Sequence, residues 1–456
     1  MQNVTAIFDI GKTNKKFFLF DANFQEVYRE YTSFDTIEDE DGHPTEDLTS
    51  LQRWLKGVFD NILTEGKFNV TALNFSTYGA SLVHLDENGN VLTPLYNYTK
   101  PLDSEITVSF FEQYGPEDEF AAVTGSSNSG MLNSGMQLYW LKTKKPDLFK
   151  KIRYSLHLPQ YISYIFTGIP ISEYTSIGCH TALWDYSKKD YHSWVYGEGL
   201  HKIFPPIVSA ETSVNMKYNG KRIKIGVGIH DSSAALLPYV RSIEKKFVLV
   251  STGTWSITLN PFENGVLSET EVKQDCIHYM RINGKPVKST RLFLGNEYSH
   301  QVKMLSRFYQ VTEDYHTSVK FEKEIYRKLK KDFKHRFAWK DLSSPEMPNK
   351  SLLNHETFEE AYHQLMMELV ELQVKNIKMA QGAMTIKRLY IDGGFSDNEI
   401  YIQLLTYALK DMKLRTTDSS LGSALGAAIA ISDIKLSSKF LRKNYSLKKH
   451  VPFIPK

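Results

Sequence analysis

The sequence is poor in cysteine: two residues in 456, Cys179 and Cys276. Neither stands in a CxxC pair or a metal-ligand cluster, which argues against a disulfide framework and predicts reduced thiols in a cytoplasmic protein. No apolar run approaches the roughly 18 residues a membrane span needs, and no basic segment leads into an apolar stretch at the start. Neither a membrane anchor nor a signal peptide is therefore expected. A dominant charge is missing too. A net charge of +3 gives no reason to expect nucleic acid or a membrane as partner, and the lysine-rich stretch SSKFLRKNYSLKKH reads as a solvated terminus. Short repeats and low-complexity linkers are absent, as are HExxH and GxSxG. The histidines are scattered; His84, His157, His180 and His278 lack ligand spacing and read as surface or core residues.

What is present is an ordinary soluble composition, 41% hydrophobic and 23% charged, on a length that suits two or three domains. The opening AIFDIGKTNKKFFLF contains Gly11-Lys12-Thr13, the end of a P-loop pattern. The rest of that pattern fails: Ala6 stands where a second glycine is needed, and an apolar run follows instead of a helix. The stretch reads as a strand, a tight turn at Gly11 and a returning strand, with Asp9 at the first strand's end.

An acidic, turn-prone stretch, DTIEDEDGHPTED, comes next. Leu48, Leu51, Leu55, Val58, Phe59 and Ile62 then mark an amphipathic helix, with Glu46 and Asp47 at its positive end and Gly66 at its stop. VTALNFSTYG reads as a buried strand, and SLVHLDENGNVLTPLYNY as a hairpin turning at Asn88-Gly89. KIGVGIHDSSAALLP is a strand, a glycine-rich turn and a small-residue helix. KKFVLVSTGTWSITLNPF then repeats the opening plan, with Gly253 in the turn. Thr357 and Glu360 form a capping box ahead of a long helix with an apolar stripe. RLYIDGGFSDN is a strand ending at Gly393-Gly394, Asp397 is placed to cap the next helix, and LGSALGAAIAIS is a final Gly/Ala-rich helix. Two α/β halves with similar openings predict a small-molecule site in a central cleft.

A nucleotide phosphate calls for backbone N–H groups freed by glycine, hydroxyl donors and a carboxylate-held metal. Asp9 to Asn14 and Ser251 to Thr254 offer these groups, although plain β-turns favour the same residues. Asp231 follows a strand and precedes a helix, where α/β sheets put their ligands; it suits a general base or a helix cap. Gly393-Gly394 and the Gly422 to Gly426 stretch allow close approach of a ligand, or tight packing.

Taken in order, FDIGKTNKK, STYGASLVHLDENGNVL, GIHDSSAAL, STGTWSI, IDGGFSDN and LGSALGAA resemble the FGGY family of carbohydrate kinases over nearly the whole chain. The resemblance implies two actin/hexokinase-like (ribonuclease H-like) α/β domains flanking the cleft. Residues 1–240 would form a sugar-binding domain carrying the first phosphate segment and the catalytic aspartate, and 241–456 a nucleotide-binding domain. It also implies an ATP- and Mg²⁺-dependent transfer of the γ-phosphoryl group to a ketose hydroxyl. Asp231 would be the general base, and Asp9 would hold Mg²⁺. Gly11, Lys12, Thr13, Asn14, Thr252, Gly253 and Thr254 would meet the phosphates. Gly393, Gly394, Asn398 and Gly422 would border the nucleotide, and Tyr78, Gly79, His230 and Asp231 the sugar.

Two features depart from the family pattern. Lys12 replaces a usual threonine and could pair with phosphate or reach Asp9. The loop Tyr96 to Pro101 lacks the Arg-x-Asp-like stretch of ketopentose and polyol kinases. His230-Asp231, STGTW and LFLGNEY are most similar to the branch acting on 6-deoxy-ketohexoses such as rhamnulose and fuculose. A xylulose-type ketopentose kinase and a non-catalytic sugar or nucleotide sensor are the alternatives. The expected partners are the sugar and ATP alone, and a homodimer is left open.

Overall fold

The alternating run QNVTAIFDI forms the strand Gln2–Ile10, and its Ala6, Phe8 and Ile10 side chains enter one core with Phe17, Leu55, Phe59, Phe75 and Phe166. Successive strand residues face opposite ways, yet Ile7 is buried as well, because the helix Gly422–Ala430 packs on the other face. Each fully buried side chain of this size contributes about 1.5–3 kcal/mol. The computed structural model describes residues 1–339, 355–418 and 421–454. The chain divides into two units. The first comprises Met1–Ile243, Asn264–Val287 and Leu421–Ser438, and the second Glu244–Glu263, Lys288–Ser420 and Lys439–Lys456.

In the first unit, Gln2–Ile10, Lys15–Asp21 and Glu26–Thr32 form an antiparallel meander. Strand Phe68–Thr77 lies parallel to the first of these, and Lys221–Gly226 and Ile229–His230 lie parallel to Phe68–Thr77 in turn. Asp9 pairs with Ser76, and Ser76 with Ile229. This register sets Asp9 and the His230-Asp231 corner level at the C-terminal ends of parallel strands. Helix Leu48–Glu65 covers the Phe8 face. Asp47 caps it by accepting from the Thr49 and Ser50 N–H groups, and Gly66 ends it in the left-handed region.

The second unit repeats this plan. Val248–Thr252, Ser256–Asn260 and Pro286–Leu292 form a meander. Arg388–Gly393 lies parallel to Val248–Thr252, and Lys413–Thr416 parallel to Arg388–Gly393. Helix Phe358–Gln381 buries Ala361, Leu365, Leu369 and Ile377 against this sheet's core. The two-domain mixed α/β architecture expected from the sequence is therefore present, and the duplication is one of strand order.

Several local readings change. Leu82–Leu85 forms its ladder with Tyr154–His157 rather than with the residues beyond Asn88-Gly89; that turn is closed by the Asp86 and Asn90 backbone and carries only an isolated Leu85–Val91 bridge beyond it. The acidic stretch is held as a short ribbon, Thr36–Glu38 against Pro44–Glu46, and buried Lys100 contacts Asp39 at 2.7 Å and Asp41 at 2.6 Å. The capping box at Thr357 is half made. Thr357 accepts from Glu360 N–H, while the Glu360 carboxylate turns to Lys328 and the Glu356 N–H. Asn398, not Asp397, caps helix Glu399–Ala408, because only its side chain reaches the Tyr401 N–H.

Candidate active site

In the first unit, the bend after Gln2–Ile10 is closed by Gly11 N–H donating to the Asn14 carbonyl at 2.9 Å, which leaves Thr13 and Asn14 exposed. Asp9, just before the bend, is 7% exposed. It accepts a hydrogen bond from the Ser423 hydroxyl at 2.9 Å, and the Lys16 ammonium stands 3.8 Å away. Burial outweighs the lysine and, with the Asp231 charge, pushes the Asp9 carboxyl up to about 6.

Asp231 opens the helix Asp231–Ser242, and His230 occupies the N-cap position. Its carboxylate accepts from the Ser232 N–H at 2.5 Å and the Ser232 hydroxyl at 3.2 Å, so the capping role open to it in the sequence is not the one it takes. The side chain keeps 36% of its surface accessible, which leaves a way in for a reactant. The protein around it still desolvates the charge and raises the carboxyl to about 6. Gly228 makes this corner possible: it sits at φ 84°, and a Cβ there would lie 2.6 Å from the Pro159 carbonyl.

His230 is buried, and burial lowers its pKa to about 4, so the ring is neutral at pH 7. Its Nε2 lies where a Cβ on Gly79 would come within 2.5 Å; only glycine gives the ring this room. Tyr78 is buried and donates its hydroxyl to Glu46 at 2.6 Å. Glu46 also takes Lys15 at 3.0 Å and Lys12 at 3.4 Å. Lys12 thus has a partner that neither expectation named. It pairs with Glu46 and stands 5.3 Å from the ring centres of both Tyr78 and Tyr98, while the cation beside Asp9 is Lys16.

In the second unit, a cavity of about 350 Å³ is lined by Gly253, Thr254, Gly295, Asn296, Tyr298, Gly394, Phe395 and Asn398, among others. This is within the range of small-molecule sites. Its floor depends on glycine. A Cβ on Gly295 would meet the Gly253 carbonyl at 2.1 Å, and Gly393, at φ 80°, would meet the Thr252 carbonyl at 1.8 Å. Thr252 is buried, its hydroxyl donating to the Asp392 carbonyl and accepting from the Phe395 N–H. Asn398 donates to the Tyr362 hydroxyl at 2.9 Å, and Tyr298 packs edge-on against Phe395. Of the expected nucleotide and phosphate residues here, Gly253, Thr254, Gly394 and Asn398 line the cavity. Gly422 does not; it is buried at the start of Gly422–Ala430 in the first unit, next to Ser423.

Sequence reasoning missed Ser423, Lys16, Glu46 and Tyr98 around the two aspartates, and Gly295, Asn296 and Tyr298 in the cavity. The segment LFLGNEY carried a signal for the last three, since its glycine and amide follow a strand. Glu46 reads as a helix-dipole residue, and nothing local shows it turning to Tyr78. The electrostatic setting fits a divalent cation. Two buried or half-buried carboxylates at strand ends, both desolvated and with the Asp231 charge adding to the cost of ionising Asp9, form a site a hard cation relieves with oxygen ligands.

Comparison with known proteins adds the following. Residues 4–236 match the model of the FGGY family of carbohydrate kinases, N-terminal domain, and residues 244–439 that of the carbohydrate kinase FGGY, C-terminal domain. A rhamnulokinase from Halalkalibacterium halodurans is 23% identical over 264 residues, 56% of this chain and 56% of that protein; the match thus spans little more than half the relative's length. A carbohydrate kinase structure from Novosphingobium aromaticivorans aligns at a TM-score of 0.81 with 23% identity, over 98% of this chain and 96% of that one. A ligand-bound xylulose kinase structure from Lactobacillus acidophilus aligns at 0.77 with 14% identity, over 99% and 94%. At these identities the structures share the fold.

Proposed function

Because the chain belongs to the FGGY family of carbohydrate kinases, we propose that it transfers the γ-phosphoryl group of ATP to a hydroxyl of a ketose, with a 6-deoxy-ketohexose such as rhamnulose or fuculose as acceptor. The observation that carries this reading is the Asp9–Asp231 pair, two carboxylates lifted to about 6 at the ends of parallel strands. In it, Asp231 removes the proton from the attacking hydroxyl. A carboxylate at about 6 is ionised at neutral pH and is a stronger base than one at its usual 3.8. His230, Gly79 and Tyr78 border the sugar, and a neutral His230 can donate to or accept from a sugar hydroxyl.

Gly11, Thr13, Asn14, Gly253 and Thr254 meet the phosphates in this reading. A phosphate contact by Lys12 requires its ammonium to leave Glu46. Gly394 and Asn398 border the nucleotide, with the Tyr298 and Phe395 rings offering a base an apolar wall. Thr252 and Gly393 stand directly behind Gly253 and Gly394 and shape that wall. Asp9 would hold Mg²⁺, partly through water, and the ion would offset phosphate charge. The rhamnulokinase relatives support the acceptor class.

The test is sugar-dependent ADP release from ATP across rhamnulose, fuculose, xylulose, ribulose and gluconate. Turnover stimulated most by a 6-deoxy-ketohexose is expected. Stimulation by xylulose instead would replace the acceptor, sugar binding without ADP release would make the protein a sensor, and ATP hydrolysis indifferent to sugar would remove the kinase reading.

A further inference from the structure

Cys179, His180 and His230 are brought together although 50 residues separate the pair from the third. The thiol sulfur and one nitrogen from each ring all lie within 4.8 Å of one another. Spacing in the sequence gave no sign of this, since the cluster is closed by the Ile229–His230 strand and not by a motif. Consecutive residues of extended chain point apart. Cys179 and His180 converge because His180 lies in the left-handed region, at φ 42°, a bend held by the Asn133 amide donating to the His180 carbonyl at 2.7 Å. Cys179 and His230 are 1% and 3% exposed, and His180 is half-buried. The centre of the Tyr279 ring stands 5.7 Å from that of His180 and 5.9 Å from that of His230.

We propose that Cys179, His180 and His230 form a binding site for a thiophilic divalent cation of the Zn²⁺ class, distinct from the ATP-borne Mg²⁺, and that filling it blocks the sugar. The ligand set decides the class. Thiolate and imidazole suit Zn²⁺ and its neighbours, whereas Mg²⁺ takes oxygen. Three protein ligands leave a fourth position for water, as in an open zinc site. Tetrahedral zinc at about 2.0–2.3 Å sets ligand atoms roughly 3.5 Å apart, so the side chains close by rotating inward, and the thiol gives up its proton to solvent. The blocking half rests on the kinase reading above, because it needs His230 to border the sugar.

Titration of the full-length protein with CoCl₂ tests the site directly. One Co²⁺ per chain is expected, with the near-ultraviolet thiolate-to-cobalt charge-transfer band. The band should vanish in Cys179→Ser and persist in Cys276→Ser. Competition by ZnCl₂ should weaken in His180→Gln by at least the roughly 10–100-fold known for outer-sphere partners. No band, or the same band in Cys179→Ser, overturns the site. On the kinase side, ZnCl₂ should inhibit competitively with sugar in wild type and not in Cys179→Ser; inhibition that survives in Cys179→Ser overturns the blocking role. If no sugar is turned over at all, the kinase reading fails while the cobalt titration still decides the site.

Discussion

The Ser423 hydroxyl donates to the Asp9 carboxylate at 2.9 Å across 414 residues of sequence. The bond stabilises the charged form of Asp9, working with Lys16 against burial and the Asp231 charge, so the carboxyl stays near 6 rather than higher. In Ser423→Ala, the Asp9 pKa should rise further. The acid limb of the pH–rate profile should move up with it, while activity at pH 8 stays close to wild type. An unmoved limb would remove Asp9 from the groups that set it.

Asp231→Asn keeps the shape of the side chain and removes the base. Turnover should fall by roughly 10²–10⁴-fold, the usual weight of general-base catalysis, with sugar affinity by calorimetry within a few-fold of wild type. Turnover within a factor of ten of wild type would take Asp231 out of the chemistry.

The pH dependence has a definite sign. Asp231 and Asp9 both sit at about 6, so kcat/KM should be flat above pH 7 and, with both carboxylates needed ionised, fall towards about a hundredfold per unit well below 6. Lys16, Ser423, Ser76, Ser232, Tyr98 and the neutral His230 face the pair, and two coupled carboxylates give a limb that belongs to the pair. Stability runs the other way. Asp9 titrates near 3.8 unfolded and about 6 folded, so the folded state holds the proton more tightly, and stability from this group is lost as pH rises through 6. The melting temperature of Asp9→Asn minus that of wild type should therefore grow between pH 4 and 7. A difference that shrinks over that window would contradict the buried setting of Asp9.

Gly79 tests the sugar side through packing. A methyl at position 79 would come 2.5 Å from His230 Nε2, and the ring, buried with little room, must tilt. KM for the sugar should rise about tenfold or more in Gly79→Ala while KM for ATP holds, a misplacement effect of the kind that costs up to about 10²-fold. Equal rises in both constants would mean general damage instead.

Local chemistry explains what could be read in advance. The two strand–bend–strand openings were legible because a polar, glycine-bearing bend between apolar runs has few other conformations. The helices Leu48–Glu65 and Phe358–Gln381 were legible from their period. Asp231 was legible as a strand-end residue before a helix. The partners were not. Ser423 reaches Asp9 only because Gly422–Ala430 returns to the first unit, and Cys179 meets His230 only because the helix Tyr174–Gly178 packs on Ile229–His230, with the His230 N–H donating to the Thr175 hydroxyl. Glu46 looks like a helix-end charge until Tyr78 folds beside it. Asp397 and Asn398 compete for one cap, and sequence preference scarcely separates them.

The helix pair behind the site gives one substitution opposite signs at two glycines. Gly426 lies in Gly422–Ala430 against Asp231–Ser242, and a Cβ there would be 1.8 Å from the Ala234 carbonyl. That atom is backbone, so relief requires the helices to part. Overpacking of this kind costs about 1–3 kcal/mol or more, and the helix that moves carries Asp231. Gly57 lies in Leu48–Glu65 on an exposed face, with nothing within 4 Å of a new Cβ. There alanine removes the unfolded chain's extra freedom and gains about 0.5–1 kcal/mol of helix preference. By thermal denaturation, Gly426→Ala should melt several degrees below wild type and lose turnover, and Gly57→Ala should melt at or above it with turnover unchanged. A Gly426→Ala protein as stable and active as wild type would show that the helices are not held as closely as the Ala234 contact requires.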